Sequence, residues 1–185
     1  MLGSADVMLD DVSTFWGQFL PNLVATLVGA FVGFLLALRF DHARESRSRM
    51  EQEASLLRAA LDAAEHNVQL IAQLKPILFA APPMPSFEMD TVILDALVPQ
   101  LVQLSSDTDL LARLNDFRFQ LHHINRKLDH LLSHGFTPIS VTPLAQGVTL
   151  TAGNLEKSGR ETLLPSINAR IASLETLQRQ WWKLW

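Results

Sequence analysis

Between Leu20 and Leu38 the chain runs for 19 residues without a charge, and then "RFDHARESRSR" follows with no linker. The only side chains in that run with hydrogen-bonding groups are Asn22 and Thr26. As a helix it would reach roughly 28 Å at about 1.5 Å per residue, close to the hydrocarbon thickness of a bilayer. Trp16 stands at one end, where an interfacial aromatic belongs, and Arg39 at the other. A cleavable signal would want a basic leader and a shorter apolar core. Here the leader carries Asp6, Asp10 and Asp11 and no cation. The pattern therefore predicts a transmembrane helix over residues 15–40, after a short acidic tail over 1–14.

Orientation follows from where the cations lie. All 15 Lys and Arg fall at Arg39 or later, and Arg39, Arg44, Arg47 and Arg49 crowd the exit from the span. By the positive-inside rule the N-terminus is expected outside and residues 41–185 in the cytoplasm. The arginines, with Trp16, are the expected membrane-interface residues. Met8, Val12, Phe15 and Phe19 fall at helical spacing, so the tail is expected to add an interfacial turn or two before Pro21, itself placed in a first helical turn.

Within the span Ala25, Gly29, Gly33 and Ala37 recur every four residues and line up as one ridge of small side chains. Such ridges let helix backbones approach closely in lipid, so these four are expected to mediate association with another copy or another membrane subunit.

Beyond the junction the pattern is helical throughout. Met50, Ala54, Leu57, Leu61, Ala64, Val68 and Ile71 form an apolar seam in steps of four and three, predicting a coiled-coil-like helix over about 41–75 that Pro76 ends. "PILFAAPPMPSF" reads as an ordered apolar loop, and a short helix is expected over 90–103, kinked or interrupted at Pro99. "SSDTD" supplies an N-cap and first-turn acids for a helix over 107–134, whose Leu110, Leu114, Phe117, Leu121, Ile124, Leu128 and Leu131 keep one register up to Gly135. "FTPISVTPLAQGVTLTAGN" reads as mixed loop, with Thr142 and Pro143 as the start of a short turn of helix. A last helix is expected over 160–185, with Pro165 in its first turn. The expected fold is all-α: a transmembrane helix continuing into a cytoplasmic three- or four-helix bundle.

Chemistry is sparsely encoded. The chain has no cysteine, which removes disulfides and thiolate chemistry. From residue 39 onward 15 basic face 16 acidic side chains, so no nucleic-acid footprint exists and no nucleic acid is expected as a partner. His123, His130 and His134 share a helix face with Lys127, and the last two have the i, i+4 spacing of zinc-binding helices. They are weak metal candidates, with Asp116 and Asp129 nearby; a pH-responsive or ligand-contacting face is the other reading. Lys157 and Arg160 flank Gly159 before the expected last helix, a weak phosphate cluster. The terminal "RQWWKLW" places Trp181, Trp182 and Trp185 together, either capping the core or returning to the membrane interface.

No enzyme motif stands in the chain, and no cofactor is expected. The sequence points to a non-enzymatic, single-span membrane protein acting as an oligomeric scaffold, adaptor or accessory subunit. Its expected partners are membrane lipid and copies of itself or other membrane-protein subunits. The alternative is a membrane effector or sensor whose bundle binds a signal and rearranges or permeabilises the membrane.

Overall fold

A computed structural model describes residues 4–78, 87–133 and 138–181. All regular structure among them is helical: α1 Ser4–Ile77, α2 Val92–Leu104, α3 Thr108–Ser133, α4 Pro138–Ser158, a π-helical turn Gly159–Leu163, and α5 Leu164–Trp181. Contacts divide the chain into two units, Met1–Arg47 and Ser48–Trp185.

The first unit is the long apolar helix. Pro21, expected in a first turn, instead lies well inside α1, because the residues before it are helical from Ser4 onward. A proline there removes one backbone hydrogen bond, and the surrounding Leu, Val and Ala keep the helix going through it.

The second unit carries the core. In α1 the seam residues Ala54, Leu57, Ala64, Val68 and Ile71 are buried, with Met50 and Leu61 packed at the edge. They meet Leu94, Val98 and Leu101 of α2, and Leu110, Leu114, Phe117, Leu121, Ile124, Leu128 and Leu131 of α3. The α3 register is the one its spacing predicts. Its start is the expected cap: Asp107 Oδ1 accepts from the Leu110 N–H at 3.0 Å. Pro99 does not interrupt α2, which runs through it to Leu104.

The segment expected as mixed loop folds differently. Residues 138–158 are α4, a full helix. Ala145, Val148, Ala152 and Leu155 are buried at steps of three, four and three, a helical seam obscured by glycines, prolines and β-branched neighbours. Thr149 and Thr151 turn their hydroxyls back onto the carbonyls of Ala145 and Gly147, at 2.8 and 2.9 Å, so neither competes with the helix. Local propensity is a weak prior, and packing against α3 overrides it.

The last helix is displaced for the same reason. Gly159 starts no helix; it lies in the π turn between α4 and α5. There the Leu164 N–H bonds to the Gly159 carbonyl, five residues back. Leu155, Gly159, Leu163, Ile167 and Ile171 are all buried although spaced four apart throughout. On a regular α-helix, at about 100° per residue, four such steps would walk about 160° around the axis. The π turn takes most of that walk back. Gly159 also sits where a side chain has no room: a β-carbon would stand 2.8 Å from Val68 Cγ2 and 3.3 Å from the Phe117 ring. With Val68 opposite Gly159 and Glu53 bonded to Arg170, α5 runs antiparallel to the α1 seam. Its C-terminal end therefore lies toward the Ser48 end of the second unit.

Candidate functional site

The feature that stands apart from this packing is the apolar part of α1. Every residue from Phe19 to Phe40 is exposed, including Leu27, Phe31 and Phe34 at 60–63%. The most apolar 18-residue window of the helix has a mean hydropathy of 2.2 and no buried residue, so it is long and apolar enough to cross a membrane. In the second unit, by contrast, large apolar side chains mostly point inward. An uncovered apolar surface of this size is costly in water, at roughly 25 cal/mol per Å².

The small-residue ridge is open as well. A β-carbon added at Gly29 or Gly33 would meet nothing within 4 Å. No part of the described chain fills that lane. Thr26 Oγ1 donates to the Asn22 carbonyl at 2.8 Å, so its hydroxyl is satisfied within the helix and tolerates apolar surroundings. Beyond the lane, Arg39, Arg44, Arg47 and Arg49 are all exposed on α1. Trp16 and Trp181 lie on α1 and α5 with side chains outside the described residues; Trp182, Trp185 and His134 lie outside them altogether.

Among the described residues no group of three His, Cys, Asp or Glu is placed to hold a metal. His123 and His130 line a shallow depression with Arg126, Lys127 and Asp129, whose two cations disfavour a metal ion. Asp116 takes a hydrogen bond from Gln120 at 2.8 Å. His122 has a carboxylate partner: its Nε2 lies 3.0 Å from Asp95 Oδ1, with Arg118 Nε at 3.4 Å from the same oxygen. That cluster ties α3 to α2. Gly159 is buried inside a continuous helical run, so Lys157 and Arg160 flank no helix N-terminus, and Arg160 pairs with Glu156 at 3.2 Å.

Two buried polar arrangements hold the domain and went unnoticed in the sequence. Asn67 Nδ2 donates to the Ala63 carbonyl at 2.9 Å and to the Asp90 carbonyl at 2.6 Å. Asn125 receives the Met89 N–H at 2.7 Å and returns a bond to the Met89 carbonyl at 2.9 Å. Together they fix residues 89–90 between α1 and α3. Arg170 grips Glu53 Oε1 with Nε and a terminal nitrogen, both at 2.9 Å, with the carboxylate almost wholly enclosed. The one available signal was a polar residue beside a buried seam, as Asn67 is beside Val68.

Comparisons with protein-family models, curated proteins and solved structures give no match.

Proposed function

We propose that this chain is a single-span membrane protein: Phe19–Leu38 crosses the bilayer, and the helical domain stands on it as a cytoplasmic bundle. The domain serves as a scaffold, adaptor or accessory subunit rather than as a catalyst. One observation carries the reading: a long uncharged helix surface is left bare by a chain that otherwise buries its apolar seams.

The arginines following the span support the orientation, because cations near a span end are retained on the cytoplasmic side. The amphipathic character of tryptophan supports an interfacial role for Trp181, Trp182 and Trp185, with Lys183 supplying a cation for lipid phosphates. The ridge of Ala25, Gly29, Gly33 and Ala37 supports packing against another transmembrane helix, from a second copy or from a different membrane subunit.

The test has two parts. Membranes bearing the full chain are washed with alkaline carbonate, which releases peripheral proteins and leaves integral ones. A reporter active only in the cytoplasm is fused after Trp185 or at Met1. The proposal expects retention in the pellet and activity from the Trp185 fusion alone. Release into the supernatant overturns the anchor, and activity from the Met1 fusion alone overturns the orientation.

A further inference from the structure

α2 is apolar on every side. Across Val92–Leu104 the polar side chains are Asp95, Gln100 and Gln103, and the one ionisable group is Asp95. Leu94, Val98 and Leu101 are buried in the core. Opposite them Val92, Ala96, Pro99 and Gln103, at steps of four, three and four, form a second seam along about 16 Å of helix, flanked by Ile93 and Val102. All six are exposed, Val92 at 75% and Val102 at 58%. A helix apolar all round belongs inside a larger structure, because an ordinary surface helix sets polar side chains opposite its buried stripe. In the second unit α1 and α3 follow that rule: Arg58, Asp62 and Glu65 are exposed on one, Arg113, Asp116 and Asp129 on the other.

Lipid and charged partners fit this seam poorly. A helix lying in a membrane interface sets Lys or Arg beside its apolar face. α2 has neither, and the ionisable residues that lead into it, Glu88 and Asp90, carry the sign that anionic headgroups repel. Asp95 is engaged inside the chain, 3.0 Å from His122 Nε2 and 3.4 Å from Arg118 Nε on α3, so the seam offers no lone charge to a partner of opposite sign. Its complement is an uncharged apolar face of the same length, and the chain itself carries one. Two such seams can meet across a twofold axis with no like charges opposed, which is the commonest symmetry of protein assemblies. Ala96, near the middle, is small enough for close approach, and the Gln103 amide both donates and accepts.

We infer that the outward seam of α2 is a contact between two copies of this chain. The inference rests on the scaffold reading above and names a partner for it. A strip about 16 Å long and one helix wide falls short of the roughly 800 Å² per partner that a stable free dimer buries. The contact therefore depends on both chains being anchored in one bilayer, where their effective concentration is high.

The chain has no cysteine, so a single introduced one reports alone. Ala96→Cys stands near the middle of the seam, where copies related by a twofold axis meet, and Leu150→Cys on α4, at a residue 69% exposed, measures random collision. Each full-length variant is reconstituted in phosphatidylcholine liposomes and oxidised with copper phenanthroline. Ala96→Cys should give disulfide-linked dimer severalfold faster than Leu150→Cys. Adding Val92→Glu should return it to the collision rate, because closing the seam would then bury an unpaired carboxylate. Circular dichroism of each variant confirms its helix content. Equal rates for the two cysteines overturn the inference, as does a fast Ala96→Cys rate that Val92→Glu leaves unchanged. Quenching of a bimane on Ala96→Cys by nitroxide-bearing lipid assigns the seam to the bilayer and overturns it too. The same liposomes are washed with alkaline carbonate. Protein retained there without faster cross-linking sinks this contact and leaves the anchor standing, whereas protein released by the wash sinks both.

Discussion

Gly159 faces Val68 so closely that a β-carbon on the glycine would stand 2.8 Å from Val68 Cγ2. Val68 is buried and β-branched, so its methyl cannot swing away without leaving its favoured rotamer. Gly159→Ala should therefore destabilise the domain by about 1–3 kcal/mol, the usual range for overpacking. Gly147 is the internal control: it is helical with nothing within 4 Å of an added β-carbon. Gly147→Ala should stabilise by about 0.5–1 kcal/mol, as alanine replaces glycine in a helix. Thermal unfolding of the two variants should move in opposite directions.

Asn125→Ala should cost about 2 kcal/mol. It removes both bonds to Met89 and leaves that residue's N–H and carbonyl in a largely dry setting without their side-chain partner. Denaturant titration reads the loss. Hydrogen exchange should speed first around residues 87–91, the segment this asparagine holds.

Glu53 and Arg170 are predicted to be strongly coupled. Glu53→Leu alone leaves a mostly enclosed guanidinium without its carboxylate and should cost about 2–4 kcal/mol, below the full figure for a buried pair because Arg170 keeps 21% of its side chain in water. Glu53→Leu with Arg170→Met should recover most of that stability. Strict additivity in the double-mutant cycle would show that the pair is solvated. The exposed pair Arg58–Glu175, at 2.7 Å, should show less than about 1 kcal/mol of coupling in the same assay.

Gly29→Ile combined with Gly33→Ile should leave membrane insertion intact and weaken self-association or partner association, because branched side chains block close backbone approach. Cross-linking in membranes checks it, and unchanged assembly would make the ridge incidental. Leu27→Arg acts on the other property. It should lower insertion by about 2.5–3.5 kcal/mol on a translocon scale, read as the fraction of chain integrated.

How much of this was legible depended on how loudly each packing pattern was written. The α3 seam from Leu110 to Leu131 and the Asp107 cap follow directly from spacing and capping chemistry, and both stand in the structure. The α1 seam was equally plain, but its use was not. Met50 to Ile71 has the spacing of a coiled-coil seam and equally of a bundle core, and in the structure Ala54, Leu57, Ala64, Val68 and Ile71 belong to the buried core of the second unit. Periodicity says that a face is buried without saying by what. In α4 the pattern Ala145, Val148, Ala152, Leu155 is made of small residues among threonines, glycines and prolines, so its apolar signal is faint and its breakers loud. Gly159 marks a boundary by sequence alone, because a glycine that ends a helix and one that admits a close neighbour look alike there. The histidine face was visible, whereas Asp95 beside His122 required two helices to be brought together.

The π turn bears on how this chain tolerates gain and loss of residues. Arg160, Glu161 and Thr162 are all exposed within it, and deleting any one would return the run to ordinary α-helix while bringing Leu163, Ile167 and Ile171 back into line with Leu155. The turn is thus one residue of slack, a place where the reading frame of the helix can shift without turning its core face outward. Pro165 stands just after the turn, at the second residue of α5. Its ring would clash with the carbonyl four residues back in a regular helix, and the wider turn gives it room. A deletion in 160–162 would place Pro165 within a regular helix, a setting that α1 and α2 already accommodate at Pro21 and Pro99 at the cost of a backbone hydrogen bond.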